Sequence, residues 1–218
     1  MGQRVVVNKM NAQNRKYCVL TGIVIFMILI FSIFIYIIMP RGKTIESRQT
    51  DIIASIVKEG DIICRLGDRL WSQYFSDLSL TDKRYSHVGI IHIDDGRVNV
   101  INAEGGTEDG KNFVKITTLG DFLSVARTAG IYRIKSTDGD EISTIAMEYI
   151  GVPFDWEFDM NDESKIYCTE LLYITLKRLL PDLKLSNVYI NQLNKEIILP
   201  EAISDSDYFS EVYFVCSK

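Results

Sequence analysis

The residues from which metal centres and disulfide frameworks are built are scarce in this 218-residue chain, which has four cysteines and two histidines. The cysteines, at positions 18, 64, 168 and 216, show no paired spacing of the zinc-binding kind. His87 and His92 lie five residues apart in a stretch that reads as a strand, and an odd offset turns their rings to opposite faces. These shortages disfavour a metal-dependent hydrolase, and no metal or other cofactor is expected. They imply no disulfide framework either, although Cys64 and Cys216 are free to pair in an oxidising compartment. The chain also lacks internal repeats and low-complexity tracts. Positive charge runs short beyond residue 57: residues 58–218 carry 17 Lys/Arg against 27 Asp/Glu, a formal −10, whereas residues 1–57 carry seven against two, or +5. An acidic domain on a basic stem argues against nucleic acid as a partner.

Long apolar stretches are not lacking. Cys18 to Met39 contains no charged residue, and its 22 positions suffice to cross a bilayer as a helix. The run ends in Ile-Met-Pro-Arg without a small-residue cleavage site, so an uncleaved anchor is expected rather than a signal peptide. Arg4, Lys9, Arg15 and Lys16 precede it with no acidic residue, while Arg41, Lys43 and Arg48 follow. The bias favours a cytoplasmic N-terminus and an extracytoplasmic catalytic domain on a single-pass membrane protein. The expected organisation is a basic tail over 1–17, a transmembrane helix over 18–39, a linker with an amphipathic helix over 40–57, and a globular domain over 58–218.

Within the domain, Asp61 to Leu66 reads as a strand and the segment around Trp71, Tyr74 and Phe75 as a short helix. Two β-branched runs, Tyr85 to Ile93 and Val98 to Glu104, flank Asp95-Gly96, a strong hairpin signal. Phe113 to Thr117 and Gly130 to Ile134 read as strands, Leu119 to Arg127 and Gly139 to Gly151 as helices. In the tail, Ile197 to Leu199 and Val212 to Val215 are apolar runs suited to closing the sheet. After Cys168, apolar residues at 172, 176, 179 and 180 recur at helical spacing until Pro181, which places Cys168 in the first turn of a helix. Free N–H groups and the positive end of the helix dipole favour a thiolate there, and the expected alkylation midpoint lies below that of a free thiol, about 8.5.

With Asp95-Gly96 as turn residues, paired positions sum to 191. His87 then faces Glu104 and Gly89 faces Asn102. A carboxylate beside an imidazole fixes its tautomer and stabilises the imidazolium, as a base serving a cysteine requires. Gly89 leaves room on that face, and Asn102 is the substitute orienter if a bulge shifts the register. Tyr167 and Trp71 are candidate substrate-binding residues, with Phe154 and Trp156 as further apolar walls, though each of these aromatics also suits a core.

The segments Gly60-Asp61-Ile62-Ile63, Ser86-His87-Val88-Gly89-Ile90, Ala103-Glu104 and Tyr167-Cys168-Thr169-Glu170-Leu171 resemble, in that order, the YiiX/YebB-like cysteine hydrolases, the circularly permuted branch of the NlpC-type papain-like superfamily. The resemblance covers roughly residues 58–180, and Thr169 stands where many members have Ser. It implies an α+β, permuted papain-like fold: an antiparallel sheet or partial barrel with packed helices, here preceded by one transmembrane helix. It also implies Cys168 as nucleophile, His87 as base and Glu104 as acidic orienter in thiol-dependent acyl hydrolysis or acyl transfer from an amide or ester, with cell-wall peptides and acyl lipids as the classes compatible with a membrane anchor. The competing reading is a tethered binding module that kept the fold without turnover.

Overall fold

The computed structural model describes residues 12–38, 42–106, 110, 112–135, 137–162 and 164–217. The chain divides into two compact units, Met1–Pro40 and Arg41–Lys218. In the first, α1 spans Ala12–Ile38. Its segment Val19–Tyr36 is long and apolar enough to cross a membrane, a test of length and composition that an N-terminal signal sequence also passes. Residues 1–11 of the basic tail, Met39 at the end of the expected span, and Pro40 and Arg41 of the linker lie outside the described residues.

The second unit is a mixed α+β domain. It opens with α2 (Ser47–Ile56), where Glu46 and Gln49 form a reciprocal capping box and Ile53 is buried. There follow β1 (Ile62–Gly67), α3 (Leu70–Leu78), β2 (His87–Asp94), β3 (Arg97–Glu104), β4 (Phe113–Thr118), α4 (Leu119–Ser124), β5 (Ala126–Ile134), α5 (Gly139–Met147) and α6 (Cys168–Leu179). The tail adds β6 (Val188–Ile190), β7 (Lys195–Ile197), α7 (Glu201–Ser204) and β8 (Phe209–Cys216). Six strands form one antiparallel sheet in the order β4-β3-β2-β1-β5-β8.

Both faces of this sheet are covered, which is why β1 and β2 read as nearly continuous apolar runs. On one face Ile62, Cys64, Val88, Ile90, Ile101 and Ala103 meet Ile142 and Ala146 of α5 and Leu171, Leu172 and Leu176 of α6. On the other, Ile63, Ile91, Val100 and Ile131 meet Ile53 of α2 and Leu119, Phe122 and Leu123 of α4.

Several elements depart from the sequence-based expectation, among them α5, which stops at Met147 instead of reaching Gly151. The α4 helix stops at Ser124, and β5 begins at Ala126, four residues before Gly130, because the segment extends the ladder with β1 through Ala126, Thr128 and Ala129. Ile197 does not join the main sheet; it closes a small hairpin of β6 and β7, and Val212 to Val215 alone reach the sheet, through β8 on β5. Cys64 and Cys216 are not bonded, Cys64 being buried in the sheet and Cys216 exposed at its edge.

Candidate active site

Two elements converge on the site: the open end of the β2–β3 hairpin and the N-terminus of α6. At the turn, Asp95 and Gly96 both have positive φ, 47° and 74°, as a tight hairpin with two left-handed residues demands. The ladder follows the expected register from Asp94↔Arg97 to Ile90↔Ile101 and stops there. Beyond it β3 stays with β4, pairing Asn102 with Lys115 and Glu104 with Phe113, while β2 stays with β1, pairing Val88 with Cys64 and His87 with Arg65.

That splay frees backbone groups. Ile91 donates its N–H to the carbonyl of Asp61 in the β1 direction, so by alternation the even residues of β2 point their N–H groups towards β3. With the β2–β3 ladder ending at Ile90, Val88 has no ladder partner on that side, and its main-chain N–H acts on the Cys168 sulfur to favour the charged form. The main-chain N–H groups of Thr169 and of Cys168 act on the sulfur in the same direction. Cys168 is the first residue of α6, as its spacing predicts, and Glu170 caps the turn by accepting the Tyr167 N–H at 3.2 Å.

His87 opens β2, half-buried, with its ring 5.6 Å from that of Phe122 in α4. Its Nε2 lies 3.1 Å from Oδ1 of Asn102, which is wholly buried. The orientation of this amide is dictated by its other contacts. Asn102 Nδ2 donates to the Val100 carbonyl at 3.3 Å and to Thr117 Oγ1 at 2.6 Å, and Thr117 spends its own proton on the Val100 carbonyl. Oδ1 must therefore face the ring, Nε2 must carry the hydrogen, and the lone pair of neutral His87 sits on Nδ1.

The expected contact between His87 and Glu104 is not made. Glu104 bonds Arg65 Nη2 through one oxygen and approaches Lys115 Nζ at 3.4 Å through the other. A permanently charged guanidinium is a better partner for a carboxylate than a neutral imidazole, so the acid turns to the cations of the flanking strands. Two other expectations fail on packing. A Cβ on Gly89 would lie 2.3 Å from Val100 Cγ1, so the space beside this glycine is filled by a core side chain and not kept for another group. Tyr167 is 2% exposed, stacks edge-on against Phe158 and accepts the Ile198 N–H, which places it in the core and away from the site surface. Trp71 is 69% exposed on α3, edge-on to Tyr74, and Trp156 is 58% exposed with its ring against Gly105, next to Glu104.

The charge state also reverses an expectation. Burial pushes the Cys168 thiol up to about 11, outweighing the three N–H donors and the charge of Arg65, which act downwards. Burial and the Arg65 charge bring His87 down to about 4. The helix N-terminus therefore does not hold a thiolate at rest; the resting pair is a thiol and a neutral imidazole. Among the described residues no hydrogen bond joins the sulfur to the ring, and the ring is held by Asn102.

The profile of a family described as permuted papain-like amidase enzyme, YaeF/YiiX, C92 family, matches residues 56–206. The chain belongs to this family of permuted papain-like amidases. Among solved structures, that of the metalloprotein YiiX from Escherichia coli O157:H7 is similar, with 18% identity and a TM-score of 0.60 over 72% of this chain and 96% of that one. None of the curated proteins matches the chain. That relative is named for a metal, and the donor set here does not fit one: among the described residues no three His, Cys, Asp or Glu side chains come together. The carboxylate nearest His87, Glu104, is already engaged by two cations.

Sequence reasoning missed Arg65 and gave Asn102 only second place. The signal for Arg65 was present, a lone cation within the apolar strand Ile-Ile-Cys-Arg-Leu, where a buried charge requires a partner.

Proposed function

We propose that this amidase works through Cys168 as nucleophile and His87 as general base, with Asn102 rather than Glu104 orienting the imidazole, on an amide of a substrate held near a membrane. The observation that carries the reading is the fixed tautomer of His87, which leaves Nδ1 as a base beside Val88, whose main-chain N–H acts on the Cys168 sulfur. As the sulfur attacks the carbonyl carbon, Nδ1 takes the thiol proton. The C–N bond then breaks, and the imidazolium returns that proton to the leaving amine. Water, deprotonated by the same nitrogen, next cleaves the thioester, releasing the acid and restoring the thiol. The main-chain N–H of Cys168 is a donor for the oxyanion at the start of α6. Because the resting pair is neutral, proton transfer accompanies attack and does not precede it.

The apolar helix supplies proximity to the bilayer, with the N-terminus cytoplasmic and the catalytic domain outside. Trp71 provides an apolar wall for the substrate. Membrane-proximal wall peptides meet this description, and acyl lipids and other esters are the alternative substrates of the same thiol chemistry.

The test uses full-length protein in vesicles with a peptide amide and an ester, each in soluble and bilayer-embedded form. Cys168→Ala and His87→Ala should each reduce turnover to less than about a thousandth of the parent rate. Parent-level rates in Cys168→Ala would sink the proposal, and binding without turnover in the parent would favour the tethered module. The embedded amide should be cleaved fastest. Protease added to intact spheroplasts should digest the domain, and full protection would reverse the orientation.

A further inference from the structure

Arg65 is the charged group on which the two halves of the site converge. It stands opposite His87 in the β1–β2 register. Its guanidinium lies 4.2 Å from the centroid of the Phe122 ring, against which the His87 ring also packs. Nη1 donates to the Phe122 carbonyl and Nη2 to Glu104, so the side chain passes over the end of β2, from β1 to β3. It is 6% exposed, and its Nε is buried without a hydrogen-bond partner. A buried cation with an orphan donor is costly, and here it occupies the same face as the base.

We propose that Arg65 is a positioning residue that sets the charge state of the catalytic pair: by capturing Glu104 it withholds the carboxylate from His87, so that the base rests neutral with its lone pair available. This rests on the reading of Cys168 and His87 given above. The groups that face His87 are Arg65 from β1, Asn102 and Glu104 from β3, Lys115 from β4 and the uncharged ring of Phe122 from α4. Of these, Arg65 and Lys115 oppose protonation, and Glu104 and Asn102 favour it. Burial is the largest influence and favours the neutral ring, and among the charges the cations outnumber the carboxylate and tip the balance the same way. Were Glu104 released, it would be the one anion among them, and its charge would raise the pH at which the ring takes up a proton.

The experiment follows the His87 ring directly. With two histidines in the chain, their C2–H resonances in full-length protein in detergent micelles are assigned by His92→Gln. In the parent, His87 should titrate near 4. In Arg65→Met it should rise by at least about one pH unit, because a charge is lost and Glu104 is freed. Arg65→Lys, which keeps the charge, should stay within about half a unit of the parent, and Arg65→Met/Glu104→Gln should reverse most of the rise. Should Arg65→Met not fold, Glu104→Gln alone decides, since removing the anion should leave His87 at or below the parent value. A parent midpoint above 6.5, an unchanged midpoint in Arg65→Met, a rise in Glu104→Gln, or an equal rise in Arg65→Lys would each overturn the proposal. These readouts need no turnover, so the proposal can fail while Cys168→Ala still abolishes hydrolysis, and can hold even if it does not.

Discussion

The two ends of the β2–β3 hairpin obey different rules. Near its turn, from Asp94↔Arg97 to Ile90↔Ile101, backbone pairing sets every neighbour, and counting from Asp95-Gly96 suffices. At the open end the strands part, and side-chain partners are chosen by charge and hydrogen bonding: Glu104 goes to Arg65 and Lys115, and His87 to Asn102, while the Val88 N–H acts on the sulfur at the start of α6. The regular end is a scaffold, and the irregular end holds the groups capable of chemistry. A splayed hairpin lets a helix bring its first residue to main-chain donors that a complete ladder would have consumed.

The sharpest test of this contrast lies at the open end. Asn102→Ala should lower kcat roughly a hundredfold or more, because the tautomer of His87 is no longer enforced, whereas Glu104→Gln should cost less than about tenfold. Steady-state kinetics of the two variants check this, and the opposite ranking would restore Glu104 as the orienter.

Next in size is Gly89→Ala, at the point of divergence. Its Cβ would meet Val100 Cγ1 at 2.3 Å and the Ile101 carbonyl at 3.2 Å, so overpacking of about 1–3 kcal/mol is expected, read as a lower Tm. A Tm equal to that of the parent would mean that the sheet yields there.

The titration of the open end yields a third expectation, worked out from the signs. His87 is lowered from 6.5 to about 4 and Glu104 from 4.5 to about 2. Both contributions to stability are full above the higher value of each pair and are lost as pH falls through the lower one. Tm should therefore decline as pH drops from 6.5 to 4, through His87, and further below 4.5, through Glu104. His87→Gln should flatten the upper part of that decline, and thermal melts at stepped pH measure it. For turnover, the acid limb should lie near 4, since a neutral imidazole is required.

Smallest is the effect at the turn itself. Gly96 has a φ of 74° and open space around its Cα, so Gly96→Ala should cost about 1 kcal/mol of stability and leave kcat unchanged. A loss of activity there would mean that the two ends of the hairpin are coupled.

Much of this chain was legible from local rules. The apolar run of α1, the Asp95-Gly96 turn and the helical spacing after Cys168 each depend on neighbours a few residues away, and such information is written in the sequence itself. The choice between partners for His87 is different in kind. Glu104 and Asn102 lie two residues apart on one strand, and what separates them is a cation on β1 and another on β4, 39 and 11 residues distant from Glu104 in the chain. The charge of the pair is likewise a tertiary property: the helix N-terminus favours a thiolate by its sequence position, and burial against the sheet reverses the outcome, because desolvation acts through every neighbour that excludes water and not through chain proximity. The sequence alone determined the hairpin turn, the start of the Cys168 helix and the groups each carries; tertiary packing decided which other groups join them at the open end, which of them touch and which carry charge.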